Sequence, residues 1–319
     1  MFLKLLLSIL NTYYPSLLQR IVDGWYAFTT IHRLKETFSF HVAYFLIAVA
    51  IVNKFSILDS YLLELFVLFI AIMTVKTQAY LADVIHDYEV DRNNPAKSQL
   101  AAGVDYFGRN RIWSFLIVEL VISLALWGWL SVRFTTIELL IIGVIGALSG
   151  FLYSYPPRIK ERGILNHITT SAVDVLVVLY PVNELIPRSH YEEMFIIICI
   201  VFFYSFGYHI LHQAADTFYD RQEGVSTFTT YIGADHGVLV AVVFYLLASS
   251  IALYYQFLVA SATLLFATGW TGKLQIEISN KDEKYTSKVI TDRFNIGLWA
   301  TGLNLAVAVN VLLSSALQI

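Results

Sequence analysis

An all-α bundle embedded in a lipid bilayer is the architecture that this chain of 319 residues predicts. Three observations carry that expectation. First, 57% of the residues are hydrophobic and only 14% are charged, well outside the composition of soluble domains. Second, the apolar residues come in continuous runs of about 18 to 22, the length a helix needs to cross the hydrocarbon, whereas strands of a membrane barrel would alternate over about ten. Third, nearly all charges fall between those runs, and mostly on one side of them.

The opening stretch MFLKLLLSIL holds an apolar run too short and too poorly flanked for a cleaved signal peptide. Residues 16–36 then mix Leu17, Leu18, Ile21, Val22 and Trp25 with Gln19, Arg20, Asp23 and Arg33, the pattern of an amphipathic helix lying on the membrane surface. This N-terminal segment, residues 1–36, precedes one membrane domain over residues 37–319, within which no Pro/Gly/Ser-rich linker marks a further boundary. Nine apolar spans follow in the sequence, at about 39–57, 61–82, 112–131, 136–154, 165–186, 193–214, 236–255, 257–271 and 294–316. The eighth is short and almost continuous with the seventh, so eight is the competing count. The single cysteine, Cys199, lies inside an apolar run and reads as a small buried hydrophobe.

Basic residues set the expected orientation. The N-terminal segment and the loops after spans two, four, six and eight hold seventeen Lys and Arg, against three (Lys54, Arg133 and Arg188) on the other side, with Lys76 inside span two. The bias places the N-terminus and all the charged loops in the cytoplasm.

Two acidic stretches end apolar spans on that same side. Asp83 to Asp91 reads DVIHDYEVD and holds four carboxylates, three of which, Asp83, Asp87 and Asp91, recur at steps of four and share one face of a continuing helix. Asp216 to Asp220 reads DTFYD. Uncompensated negative charge beside hydrocarbon is costly, so two such clusters call for a function. Hard divalent cations such as Mg2+ take carboxylate oxygens and keep waters and substrate phosphates in their shell, so facing clusters suit metal ions bridging to a diphosphate.

These stretches resemble the UbiA superfamily of intramembrane prenyltransferases. DVIHDYEVD looks like the first motif, NDxxDxxxD, and DTFYDRQEG like the second, DxxxDxxxG, complete at Asp216, Asp220 and Gly224. STFTTYIG, running through Thr227 to Gly233, is similar to the stretch after the second motif, and YSYPPRIKERG, Tyr153 to Gly163, to the short basic loop after span four. The chain departs from the pattern at Asp83-Val84, where the family has Asn-Asp, in KSQLAAG from Lys97 to Gly103, where it shows Arg-Pro-Leu, and in IHRLKETF, which lacks the usual Arg-Pro.

The resemblance implies a nine-helix transmembrane bundle with a cytoplasm-facing active-site cavity. It implies that Asp87, Asp91, Asp216 and Asp220 coordinate Mg2+ on the diphosphate of an isoprenoid substrate, with Asp83 an added candidate, and that Lys97, Arg158 and Lys160 contact the diphosphate oxygens. Gly224 fits a backbone requirement rather than a contact. An allylic cation left by ionisation needs a dry, electron-rich pocket, and Tyr80, Tyr153 and Tyr219 are the rings nearest the motifs.

Other polar residues line the spans. Lys76 shares a face with Tyr80, Asp83 and Asp87, and is expected either to act in the site or to pair with Asp174 or Glu119. Asn166, Thr170 and Asp174 share a face in span five, which makes Asp174 an acceptor-side base or the partner of Lys76. His209, His212, Gln213 and Asp216 form a stripe read as polar lining or proton handling in preference to a transition-metal site. His86 reads as a solvated loop histidine. No glycine-rich phosphate loop, nucleophilic serine motif or basic stripe of nucleic-acid spacing appears in the sequence.

The expected function is a multi-pass membrane enzyme that ionises a prenyl diphosphate with Mg2+ and transfers the prenyl group to a lipophilic, aromatic acceptor. A terpene cyclase of the same superfamily, needing no acceptor, is the alternative. A cation transporter ranks below both, because alternating access favours a site at the midplane.

Overall fold

The structure is a computed structural model that describes residues 15–55, 57–93 and 97–316. The MFLKLLLSIL stretch lies outside the described residues. Every regular element among them is helical: α1 (Pro15–Ile31), α2 (Leu34–Lys54), α3 (Leu62–His86), α4 (Tyr88–Asn93), α5 (Ser98–Phe107), α6 (Arg109–Arg133), α7 (Glu138–Ser154), α8 (Ile164–Val178), α9 (Tyr191–Gln222), α10 (Phe228–Ile232), α11 (Ala234–Tyr254), α12 (Leu258–Ile278), α13 (Glu283–Arg293) and α14 (Ile296–Ala316). Within a bilayer the helix satisfies its own backbone polar groups, which is why long apolar runs take this form.

Among the described residues, each of the nine apolar spans coincides with a helix. Seven segments are long and apolar enough to cross a membrane, and α7 is a shorter apolar helix. α12 runs past the expected end near residue 271 to Ile278, because buried Leu274 and Ile278 continue the inward stripe at a step of four while Lys273 points outward. α11 and α12 are separate helices, joined through Tyr255 to Phe257.

Neighbouring helices close a ring in the order α2, α3, α7, α8, α9, α11, α12, α14 and back to α2, with α6 packed against α3 and α7. Small residues set the closest approaches. A Cβ on Gly150 of α7 would lie 2.6 Å from the Ala79 side chain of α3, so those backbones meet without an intervening side chain. Trp127 of α6 is fully buried and seats on Gly143, where a Cβ would fall 2.2 Å from the indole.

α1 exposes Leu17, Ile21, Val22 and Trp25. Its inner side packs on α5: Tyr106 donates to the Arg20 carbonyl at 3.0 Å, and Tyr26 to Gln99 Oε1 at 2.9 Å. The helix stops at Ile31, short of the expected residue 36, and Arg33 turns the chain in the left-handed region (φ 45°) before α2 begins.

Gly150→Val should force α3 and α7 apart and cost about 1–3 kcal/mol by overpacking. Gly128→Ala, where a Cβ would meet no atom within 4 Å, should leave stability unchanged or slightly raised. Thermal melts in detergent, followed by circular dichroism, compare the two.

Candidate active site

The first motif is held from behind by an apolar cluster. Leu81, Val84, Ile85 and Tyr88 are buried with Ile31 of α1, Ala101 and Val104 of α5, and Ile112 and Leu116 of α6. That anchorage turns the aspartates away from α6. α3 ends at His86, yet Asp87 N–H donates to the Asp83 carbonyl and Asp91 N–H to the Asp87 carbonyl, each at 2.8 Å. The step of four therefore survives the interruption between α3 and α4.

Cations from two loops meet these carboxylates. Lys160, 9% exposed, donates to Asp83 Oδ1 at 3.3 Å and also pairs with Asp87 Oδ2. Arg33 Nη2 donates to Asp83 Oδ2 at 2.9 Å, and Ser154 Oγ to Asp83 Oδ1 at 2.7 Å. Arg158 Nη2 stands 3.9 Å from Asp87 Oδ1. His86 is part-buried rather than solvated: its Nδ1 lies 2.9 Å from Asp87 Oδ1 and its ring meets Tyr155 edge-on at 5.0 Å, because Tyr155 stacks on Phe151 beside it. Burial alone would lower the Lys160 pKa, but Asp83 and Asp87 outweigh it and hold the ammonium above its ordinary value.

Asp91 is the least compensated member. It is 2% exposed, and its Oδ2 is buried with no hydrogen-bond partner. Burial, opposed by Lys97 and helped by Asp83, pushes its pKa up to about 6. Lys97 links the two motifs electrostatically: burial would lower its pKa, but Asp216 and Asp91 raise it. Tyr153, near the end of α7, lies within the electrostatic reach of Asp83, Asp87 and Asp220.

The second motif occupies the last turns of α9. Gly224 follows with φ 72°, a left-handed conformation that a side chain would strain, while Val225 N–H caps the helix on the Asp220 carbonyl at 2.8 Å. STFTTYIG is sewn back onto α9: Thr229 N–H donates to Gln213 Oε1 at 3.1 Å, and Thr217 Oγ1 to Thr229 Oγ1 at 2.8 Å. Thr227 caps α10 through a reciprocal pair with Thr230.

A second charged layer lies deeper. Lys76 of α3 pairs with Asp174 Oδ1 of α8, and His209 Nε2 of α9 lies 3.0 Å from Asp174 Oδ2. Glu119, the other partner considered for Lys76, accepts from Thr77 Oγ1 at 2.8 Å and meets His32 Nε2 at 2.8 Å instead. A cavity of about 400 Å³ at the far end of the bundle is lined by Lys54, His190, Glu193, Tyr255 and Asn310, and holds no motif residue.

Residues 39–299 match the UbiA prenyltransferase family model. The chain belongs to that family. It is accordingly an integral membrane protein, and its motif departures are variations within a UbiA frame. No curated protein matches the sequence. Among solved structures, one of digeranylgeranylglyceryl phosphate synthase shares 18% identity at TM-score 0.64, covering 91% of this chain and 99% of that one. A UbiA homologue from Archaeoglobus fulgidus, bound to GPP and Mg2+, shares 16% at TM-score 0.60, covering 87% and 99%. The apo homologue from Aeropyrum pernix K1 shares 14% at TM-score 0.60, covering 85% and 97%. At such identities the likeness establishes the fold.

Arg33 and Ser154 are site neighbours that the sequence reading missed. Arg33 was visible only as a basic residue in IHRLKETF, and Ser154 only as the last residue of an apolar span.

Lys76→Met leaves Asp174 buried without its cation and should destabilise the protein by about 3–5 kcal/mol. The paired change Lys76→Met with Asp174→Asn should recover most of that loss, as read by thermal midpoints in detergent.

Proposed function

We propose that this chain is a Mg2+-dependent intramembrane prenyltransferase that binds an isoprenoid diphosphate between its aspartate motifs at the cytoplasmic face, ionises it and passes the prenyl group to a lipophilic, aromatic acceptor. The observation that carries the proposal is the interleaving of carboxylates with cations: Lys160 on Asp83 and Asp87, and Lys97 in the field of both Asp216 and Asp91. Carboxylates alone would suit a bare cation. Carboxylates beside Lys and Arg suit a metal–diphosphate pair, since the cations take the oxygens that the metal leaves.

The residues present fit Mg2+. They are hard oxygen donors, and Asp91 Oδ2 is a buried acceptor with no hydrogen-bond partner. Among the described residues no three His, Cys, Asp or Glu side chains gather to hold one ion, so substrate phosphates and waters would complete its shell. Asp87, Asp91, Asp216 and Asp220 would hold the metal, with Asp83 beside them. When bound, Mg2+ supplies the positive charge that makes the diphosphate a competent leaving group. Structures of the Archaeoglobus fulgidus homologue with GPP or DMAPP and Mg2+ support the assignment.

The chain's own residues have distinct parts in this scheme. Lys97, Arg158 and Lys160 bind diphosphate oxygens, and Lys160 can turn from Asp87 to the substrate while Arg33 and Ser154 keep Asp83 satisfied. Tyr153, beside both motifs, offers a ring face to positive charge developing at the prenyl C1. The apolar helix walls keep water from the cation.

Membranes containing the protein, supplied with Mg2+ and geranyl, farnesyl or geranylgeranyl diphosphate with and without a phenolic or quinol acceptor, provide the test. Acceptor-dependent diphosphate release is expected. It should fall at least about 10³-fold in Asp87→Ala or Asp216→Ala, and Lys160→Ala should raise KM for the diphosphate about tenfold. Turnover indifferent to chelation and to both aspartate substitutions would sink the proposal. Cyclic hydrocarbon formed without acceptor would replace transfer by cyclisation.

A further inference from the structure

The second motif sits where a helix is weakest. α9 carries Asp216 and Asp220 in its last two turns, and the last four carbonyls of a helix have no partner within it. Terminal turns open most readily, whereas carboxylates that share a metal ion must keep their places to about 0.5 Å. On the back of α9, hydroxyl groups from two short helices hold this stretch of its backbone.

Ser287 of α13, 1% exposed, accepts from the Phe218 N–H at 3.2 Å and reaches the Ala214 carbonyl at 3.5 Å. Those two groups are the ends of one rung of the α9 ladder, and Asp216 lies midway between them in sequence. At 3.6 residues per turn, Ala214 and Phe218 each point about 160° away from Asp216, so Ser287 grips the face opposite the carboxylate. Thr229 of α10, fully buried, holds the neighbouring rung: its Oγ1 donates to the Gln213 carbonyl at 3.1 Å and accepts from Thr217 Oγ1 at 2.8 Å. Arg221 joins the two holds, pairing with Glu283 of α13 at 3.1 Å and donating to the Thr230 carbonyl beside Thr229. A helical serine can satisfy its hydroxyl on the carbonyl four residues before it, as Thr291 does on the Ser287 carbonyl at 2.9 Å. Ser287 turns its hydroxyl to α9 instead.

We propose that Ser287 and Thr229 are positioning residues for the second motif, acting through the α9 backbone to hold Asp216 and Asp220 where a metal-bound diphosphate meets them. The assignment rests on the diphosphate-binding reading above. Neither residue touches substrate or metal. Each fixes peptide groups that flank Asp216, so the carboxylate starts from a set Cα position and direction, and less ordering remains to be done when the metal and the diphosphate bind. The segments that supply them, one directly after the second motif and one between α12 and α14, thereby become parts of the site. Partners one step behind a metal ligand commonly account for 10- to 100-fold in metal affinity, and a contact made through the backbone belongs at about the lower figure.

The test measures binding of a non-ionising prenyl thiolodiphosphate, and the Mg2+ concentration that half-saturates it, in wild type, Ser287→Ala and Thr229→Val. Thr229→Val removes the hydroxyl at nearly constant shape and carries the test should Ser287→Ala fail to fold. The control is Ser249→Ala, which breaks an equally buried hydroxyl contact with Ser261, 3.2 Å away between α11 and α12, six residues before Tyr255 at the far end of the bundle. Each of the first two variants should lose about tenfold in thiolodiphosphate affinity and need about tenfold more Mg2+, while Ser249→Ala stays within about threefold on both at a comparable fall in thermal midpoint. Hydrogen exchange without ligand should be faster across residues 216–222 in Ser287→Ala than in wild type. Affinities within about threefold of wild type in both variants, or an equal loss in Ser249→Ala, overturn the assignment and leave diphosphate binding standing. Wild-type protein that does not bind the thiolodiphosphate in Mg2+ overturns the diphosphate-binding reading and this assignment with it.

Discussion

The structure depends on compensating negative charge at the rim of an apolar bundle. Asp83 and Asp87 stand one helical turn apart with Lys160 across both, Arg33 on one and Arg158 near the other. Without cations, carboxylates buried this far would protonate or draw water into the bundle. The cations come from segments remote in sequence: Arg33 from the turn between α1 and α2, and Lys160 from the loop after α7. One electrostatic requirement thus ties the N-terminal helix, the second and fourth spans and the loop beyond them into one unit.

The same compensation shapes the chemistry. Asp83 accepts from Ser154, Lys160 and Arg33 together, so its oxygens are committed to holding protein, whereas Asp91 Oδ2 is buried without a hydrogen-bond partner. Where the family places Asn-Asp, this chain has Asp83-Val84. Val84 takes a place in the apolar cluster behind the motif, and Asp83 becomes the clamp that draws Arg33 and Lys160 to the rim. The departure relocates charge within the motif without emptying it.

The sequence made the bundle and the motif residues legible because both are local. Twenty-residue apolar runs, aspartates at steps of four and a glycine after Asp220 need no tertiary knowledge. The partners of those residues were less accessible. Lys76 faced Asp174 or Glu119 equally well by periodicity, and only the rotation of α3 against α8 and α6 decides for Asp174. Arg33 looked like one more solvated residue of an amphipathic helix, because nothing in its neighbours announces the left-handed turn that ends α1 and points it at Asp83. His86 looked solvated for the same reason: Tyr155, which meets its ring from the end of α7, is remote in sequence.

Two charged layers at different depths also explain why α3, α8 and α9 must keep their register. α3 and the Asp87 that follows it contribute Asp83 and Asp87 to the rim and Lys76 to the inner layer, and α9 contributes Asp216 and Asp220 to the rim and His209 to the inner layer. A shift of either helix by one turn, about 5.4 Å, would separate Lys76 or His209 from Asp174 while moving its aspartates along the rim. Apolar contacts tolerate such slips better than buried ion pairs do, since one Leu replaces another but a charge without its partner remains costly. The inner ion pair therefore restricts the sliding of α3 and α9 and holds the two aspartate motifs in a fixed register, which the proposed metal–diphosphate bridge between them would require.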